Sequence, residues 1–498
     1  MFKIIKRRKG KTDAGEAAVS SAPGAPDVTV NHASRIADAV AHHASRVSEV
    51  PQLVCLANAP ADPSVVEVLP LLKDVPASER HALFVRKLQI CCVHFDFIDV
   101  MKYAREKEIK RQTVTELIDL VHTGSCKMND QMQEDLVKMI SINIFRSLPP
   151  ASYECTGGQS GDPEEDDLFL DPGWAHMQLV YELLLRYVLS SDMDTRVAKR
   201  FLDHAFLVKF LDLFETEDLR EREYLKSILH CIYGKFMVHR PFIRKAINNI
   251  LYRFIFETER HNGIGELLEI IGSIINGLAL PMREEHKLFL VRALIPLHKL
   301  KCVTDYHHHL SYCTSLFVEK DYRFSCVVIK GLLKYWPVSN CGKEVLFIGE
   351  LEEILECTHP AEFQRCMVPL FVQIGRSLNS PNFQVAERAL FLWNNEHIVE
   401  LIALYRHVIL PIIFTPLERN MQDHWNQAVH GLTSNVQRMF QEMDTELFEE
   451  CQRKFEETEA SAEAVEEQRK QTWKRIESAA KARRGVKTEP DCSKVSAF

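Results

Sequence analysis

From Arg80 to about Phe455, apolar side chains return every three or four residues almost without a break. That regularity decides the class of fold. A period near 3.6 gathers those side chains into one stripe of an α-helix, whereas a half-buried strand would need strict alternation. The pattern gains strength at Leu69 to Leu72 and is nearly continuous from "RHALFVRKLQICCVHFDF", residues 80–97. Only 19 glycines and an ordinary 21 prolines in 498 residues leave few places where helices must stop. An apolar fraction of 46% can bury a sizeable core, and a charged fraction of 26% suits a water-exposed surface. The chain is expected to be all-α.

Short echoes suggest how the helices are arranged. "RKAINNI" (244–250), "VRALIPL" (291–297), "IKGLLKY" (329–335) and "ERALFLW" (387–393) each place a basic residue before Ala or Gly and then an apolar run. Their small residues, Ala246, Ala293, Gly331 and Ala389, lie 47, 38 and 58 positions apart. Two intervals are near the period of HEAT or armadillo helix pairs, and the third implies an inserted loop. Small residues let helices approach closely, and stacked pairs bury their apolar faces only against neighbours, which gives a curved α-solenoid. An irregular helical domain would show the same echoes less regularly.

The solenoid is expected over 71–455. Residues 1–70 read as a disordered arm, since 12–50 are rich in Ala, Ser, Pro, Asp and His and poor in large apolar side chains. The arm starts with a basic tip, "KIIKRRKGK", which suits a nuclear signal, a patch for anionic membranes or a solubilising end. "PPASYECTGGQSGDPEEDDLFLDPGW" (149–174) breaks the pattern with Gly157, Gly158, Gly161 and four prolines around the acidic run Glu164, Glu165, Asp166 and Asp167. It reads as a flexible loop, about 149–172, between helices. Residues 456–484 read as a charged helical tail, and 485–498 as disordered.

Several function classes are excluded. A net charge of −8 argues against nucleic acid as a partner of the whole molecule. The longest uncharged apolar run in the core, Ile270 to Met282, is too short to span a bilayer, and no apolar stretch follows the basic tip as a secretion signal would require. A soluble protein is expected. Its fourteen scattered cysteines, without C-x-x-C spacing, read as reduced thiols. "GGQSG" has no strand before it and no helix directly after it, so it is not a nucleophile elbow. No phosphate-binding glycine loop occurs. The histidines of "YHHHL", His307 to His309, point in different directions and lack paired ligands, so they read as surface rather than metal site. No enzyme, cofactor or metal is expected.

"GELLEIIGSIINGLALPMREEHK", residues 265–287, carries more apolar surface than a packed helix requires. Leu267, Leu268, Ile271, Ile275 and Leu278 form one stripe. Ile270 and Ile274 widen it, and Ile270, Ile274 and Leu278 continue as a ridge. Pro281 is expected to end the helix, beside a corner where Arg283, His286 and Lys287 gather positive charge. Apolar sockets beside cations suit an extended peptide with apolar anchors and an acidic end. A wide core helix with a solvated corner would have the same spacing.

The stretch from "ILHCIYGKFMVHRPFIRKAINNILYRF" through "GELLEIIGSIINGLALPMREEHKLFLVRALIPLHK", with "GLLKYWP", "KEVLFIGELEEILE" and "FQVAERALFLWNNEHI", closely resembles the B-prime regulatory subunits of protein phosphatase 2A. "MVHRPFIRKAINNI" is most similar to plant members, and the likeness covers roughly residues 75–460. The resemblance implies a HEAT-like solenoid that joins a scaffold subunit and a catalytic subunit in a heterotrimer, performs no chemistry and brings substrates to a Ser/Thr phosphatase. It also implies a concave groove for L-x-x-I-x-E motifs. The matching positions are His230, Tyr233, Arg240, Ile270, Ile274, Arg283 and His286. Tyr233, Ile270 and Ile274 would hold the motif isoleucine. Arg240, Arg283 and His286 would line the leucine end and favour acidic or phosphorylated neighbours, because charge-assisted contacts are the stronger ones.

One departure concerns the motif's acidic end. The family has His-Arg before "IYGKF", and this chain has His230-Cys231. Losing that arginine would weaken binding by about 1.5–3 kcal/mol unless another group compensates. Glu164 to Asp167 stand where the family has an acidic loop facing its partner subunits, here with a Gly-rich insertion. A cytoplasmic location is expected, with the nucleus open as a second compartment. The other class of reading is a free-standing HEAT adaptor or transport scaffold that never meets a phosphatase.

Overall fold

A computed structural model of the chain describes residues 66–124, 128–148 and 170–485. The chain divides into two units, Met1–Asn58 and Ala59–Phe498, and the described residues all belong to the second. The basic tip, the acidic run Glu164 to Asp167 and most of the two terminal segments therefore lie outside the described residues.

Among the described residues there is no strand. Eight helix pairs, joined by shorter helical segments such as Glu396–Leu404, and a long terminal helix make up a HEAT-like α-solenoid. The pairs are α1 (Ala77–Cys91) with α2 (Ala104–Thr123), α3 (Asp130–Ile144) with α4 (Trp174–Leu189), and α5 (His204–Asp212) with α6 (Leu219–Lys235). They continue with α7 (Arg240–Arg253) and α8 (Ile264–Asn276), then α9 (Glu284–Phe289) and α10 (His307–Lys320). Next come α11 (Ser325–Lys334) with α12 (Cys341–Glu356), α13 (Met367–Leu378) with α14 (Phe383–Leu390), and α15 (Arg406–Asp423) with α16 (Gln427–Met443). The terminal helix is α17 (Thr445–Gly485). Each even-numbered helix packs on the next even-numbered one, and these form one layer; the odd-numbered helices form the other. Helices α4, α6, α8 and α10 begin 45, 45 and 43 residues apart.

Side chains fix that period as well as backbone. Arg222 Nε donates to Glu266 at 2.8 Å, Lys226 Nζ to Glu269 at 2.7 Å, and His230 Nε2 lies 2.8 Å from Ser273 Oγ. These three rungs tie α6 to α8 across 44, 43 and 43 residues. Further along, Ser311 donates to Glu353, and Asn420 to the Leu378 carbonyl, each across 42 residues.

Several expectations change against this frame. Ala246, Ala293 and Gly331 belong to the odd-numbered layer, but Ala389 lies on α14 in the other. The 58-residue interval is thus a change of layer and not an inserted loop. The counterpart of Gly331 is Gly375, 44 residues on, where an added Cβ would sit 3.2 Å from Pro416 Cγ. At Gly331 it would sit 2.6 Å from Ile295 Cγ2, so only glycine fits that crossing. The packed array includes residues before 71: Val66 and Leu69 pack with Ile90, Val93 and Ile109, and Glu116 accepts from the Leu72 N–H. The charged tail continues α17 directly, with no break near 455. Helix α8 ends at Asn276, five residues before Pro281, with Gly277 as its cap, so Leu278 lies beyond the helix.

His307 is not a surface residue. It is buried with His298 and Thr314 around Glu350. Adjacent residues on a helix are 100° apart, so the three histidines face different ways, and His307 is the one that faces inward. Both histidine Nε2 atoms lie about 3 Å from the Glu350 carboxylate, which also accepts from Thr314 Oγ1 at 2.7 Å. Burial alone would raise the Glu350 pKa, but the two imidazoles outweigh it and hold the carboxyl well below its usual range. A depressed folded-state pKa gives stability that is present above the ordinary carboxylate value and lost as pH falls. Glu350→Gln is expected to lower unfolding free energy by about 3–5 kcal/mol at neutral pH. The gap between variant and parent should narrow as pH falls below 4.5, as checked by urea unfolding at stepped pH.

A candidate peptide-binding groove

Helix α6 buries Leu225, Ile228, Leu229 and Ile232, which leaves Lys226, His230 and Tyr233 on its opposite flank. Its last carbonyls have no partner within the helix. Arg240, the first residue of α7, supplies one. Its Nε donates to Tyr233 O at 2.9 Å and its Nη2 to Gly234 O at 3.0 Å, while the guanidinium lies over the Tyr233 ring, 5.2 Å from the centroid. One turn further, Arg244 Nη1 donates to Tyr233 Oη at 3.2 Å. Tyr233 is thereby held from two sides.

The same corner recurs one repeat later. Helix α8 buries Leu267, Leu268, Ile271 and Ile275, and Gly272 lets Tyr312 of α10 come close, 3.0 Å from where a Cβ would stand. Ser273 and Ile274 are left facing α6. After Gly277 the chain turns through Leu278 to Arg283, the N-cap of α9. Arg240 and Arg283 are therefore equivalent residues of consecutive repeats, 43 positions apart.

These two corners bound a cleft of about 450 Å3 lined by His230, Tyr233, Arg240, Ile274, Arg283 and His286. Those are six of the seven positions expected from the sequence. The seventh, Ile270, is only 2% exposed and lines no part of the cleft. It sits one turn deeper on α8, where packing against α6 and α10 covers it. Leu278, past the helix end, takes the place expected of Ile270 beside Ile274. Ile274 and Leu278 also border a second cavity of about 370 Å3, lined by Ile247, Ile271, Phe289 and Phe317. An apolar side chain entering from the cleft would meet this surface. Cys231 lines neither cavity; it is half-buried, and burial raises its thiol pKa.

The charge in the cleft also differs from expectation. Glu285 stands among the cations, 3.3 Å from His286 Nε2, 3.7 Å from Arg244 and 4.0 Å from Arg283. Lys287 pairs with Glu284. Burial holds the His286 pKa below its ordinary value, with Glu285 opposing and Arg244 and Arg283 reinforcing the shift. That shift disfavours the charged ring, so His286 is a weaker cation than the arginines beside it. Arg283 keeps 78% of its side chain exposed and is the most available positive group. Sequence reasoning missed Arg244 and Glu285. In "RKAINNI" the alanine is the residue that stands out, and the acidic residues of "REEH" look like no more than a corner.

The profile of the family described as "Protein phosphatase 2A regulatory B subunit (B56 family)" matches residues 69–480. The chain belongs to the B56 family. It is similar to the beta isoform of the 57 kDa B' regulatory subunit of serine/threonine protein phosphatase 2A from Arabidopsis thaliana, 63% identical over 99% of both chains. The B' alpha isoform of the same plant is 61% identical over 97% of this chain and 98% of its own. The B' epsilon isoform is 62% identical over 84% of each. This B56 chain regulates and does not catalyse. Among the described residues no group of three His, Cys, Asp or Glu side chains could hold a metal ion. No single helix among them is long and apolar enough to cross a membrane.

Arg240→Lys keeps the charge but loses the two-pronged cap on α6. The unfolding free energy should fall by about 1 kcal/mol, measured by urea denaturation. A peptide-independent loss of that size would identify Arg240 as the residue that shapes the cleft.

Proposed function

We propose that this chain, a regulatory subunit of protein phosphatase 2A, selects substrates by gripping L-x-x-I-x-E segments in the cleft between α6 and α8. The observation that carries the reading is the convergence of Tyr233, Ile274 and Leu278 with Arg240 and Arg283 on one cleft. An apolar wall gives anchor side chains a place to leave water, at about 25 cal/mol per Å2 buried. Arginines at the rim give an acidic segment its direction, since a guanidinium meets a carboxylate or phosphate with two parallel hydrogen bonds. The scaffold and catalytic subunits would complete the heterotrimer, with the cytoplasm as its proposed site of action and the nucleus as a second.

Two residues tune the preference. Cys231 stands where the family has arginine, so the motif's glutamate lacks one cation. Glu285 stands 3.7 Å from Arg244 and 4.0 Å from Arg283, so an acidic peptide meets a carboxylate beside those cations. Both features reduce the selectivity for acid relative to the apolar anchors.

Ile274→Arg should abolish binding to an L-x-x-I-x-E peptide in calorimetry while the heterotrimer still assembles; unchanged affinity would reject the assignment. Cys231→Arg and Glu285→Gln should each tighten binding about tenfold, corresponding to about 1.4 kcal/mol. Purification of the tagged chain from cells should bring down stoichiometric scaffold and catalytic subunits, and a chain recovered alone would favour a free-standing adaptor.

A further inference from the structure

The terminal helix outlasts the stack it docks on. Phe448 and Phe455 of α17 lie 5.2 and 6.2 Å from Phe414 of α15, and Cys451 between them is buried. These three residues are spaced three and four apart, which is the heptad seam of a packed helix pair. The spacing continues beyond the contact through Thr458, Ala462, Val465, Arg469, Thr472, Ile476 and Ala479, all of them exposed. Val465 and Ile476 remain 53% and 52% exposed, and Trp473 beside the seam 66%.

Charge says what covers this face. Residues 456–468 contain six glutamates and no lysine or arginine, net −6; residues 469–485 contain seven basic residues and one glutamate, net +6. Some of this charge pairs locally, as in Glu466 with Arg469 and Glu477 with Lys481. The helix dipole favours acid at the start and base at the end, but only within the terminal turns. It does not require two whole halves of opposite and equal sign. A second copy laid antiparallel does, because it sets each acidic half against a basic one about a two-fold axis near Gln468 and Arg469.

We propose that residues 456–482 of α17 pair antiparallel with the same segment of a second copy of this chain. In that register Val465 lies across from Thr472 and Thr458 across from Ala479, with Ile476 adjacent to Ala462 and Arg469 beside the axis. Val465 and Ile476 thus gain apolar or small neighbours from the second copy. A parallel pair would stack acid on acid and base on base.

Sedimentation equilibrium of the full chain provides the test. At low salt it should show a monomer–dimer equilibrium that weakens toward about 1 M salt, where the screening length falls to about 3 Å. Lys470→Glu, Lys474→Glu and Arg475→Glu together should weaken dimerisation about a hundredfold, and so should Glu456→Lys, Glu459→Lys and Glu466→Lys. An equimolar mixture of the two reversed chains should dimerise again, which a variant that had merely lost its helix could not do. A chain that stays monomeric at low salt, a dimer indifferent to both reversals, or a mixture that fails to associate would each overturn the proposal.

Discussion

Register between consecutive helix pairs is the constraint on which everything else rests. A helix of one pair buries its stripe only if the equivalent helix of the next pair arrives at the right height and rotation. Apolar packing supplies most of the driving force but tolerates sliding, because burial is not directional. The rungs joining Arg222 to Glu266, Lys226 to Glu269 and His230 to Ser273 do not tolerate it. Arg222 and Glu266 are largely buried, so a one-turn slip would leave charges unpaired in a low-dielectric setting.

The groove inherits its geometry from that register. Its residues come from two similar corners: an even-numbered helix ends, and an arginine stands at the start of α7 or just before α9. In the first copy Arg240 folds back to cap α6 and brace Tyr233. In the second, Arg283 has no such task and stays exposed. One repeat has turned its arginine into structure, and the next has left it exposed. A solenoid makes such divergence easy, because each pair needs only to keep its stacking faces.

How much of this was legible in the sequence varies with the physics involved. Helical periodicity reports which residues share a face, so the all-α class, the stacked pairs and the position of Ile274 could be read directly. It does not report which edge of a wide stripe a neighbour will cover, and that is why Ile270 looked available and is buried. Nor does it separate the two layers, so Ala389 looked like a fourth member of a series it does not join. Charge in the cleft was harder still. The charge of His286 follows from its burial, and the setting of Arg283 from Glu285, whose distances only the turn between α8 and α9 sets. The resemblance to a known family located the cleft, whereas the balance of charge within it came from the coordinates.

The placement of the cleft between two pairs, and not within one, has a mechanical consequence. Tyr233 moves with α6, and Ile274 with α8. Any bending of the stack at that joint changes the distance between the walls. On the proposed function, grip on a client would then depend partly on the curvature of the array, and a protein clamped at distant points along its length would hold the same sequence more tightly or loosely without a single change in the lining. Flexure becomes a dial for affinity.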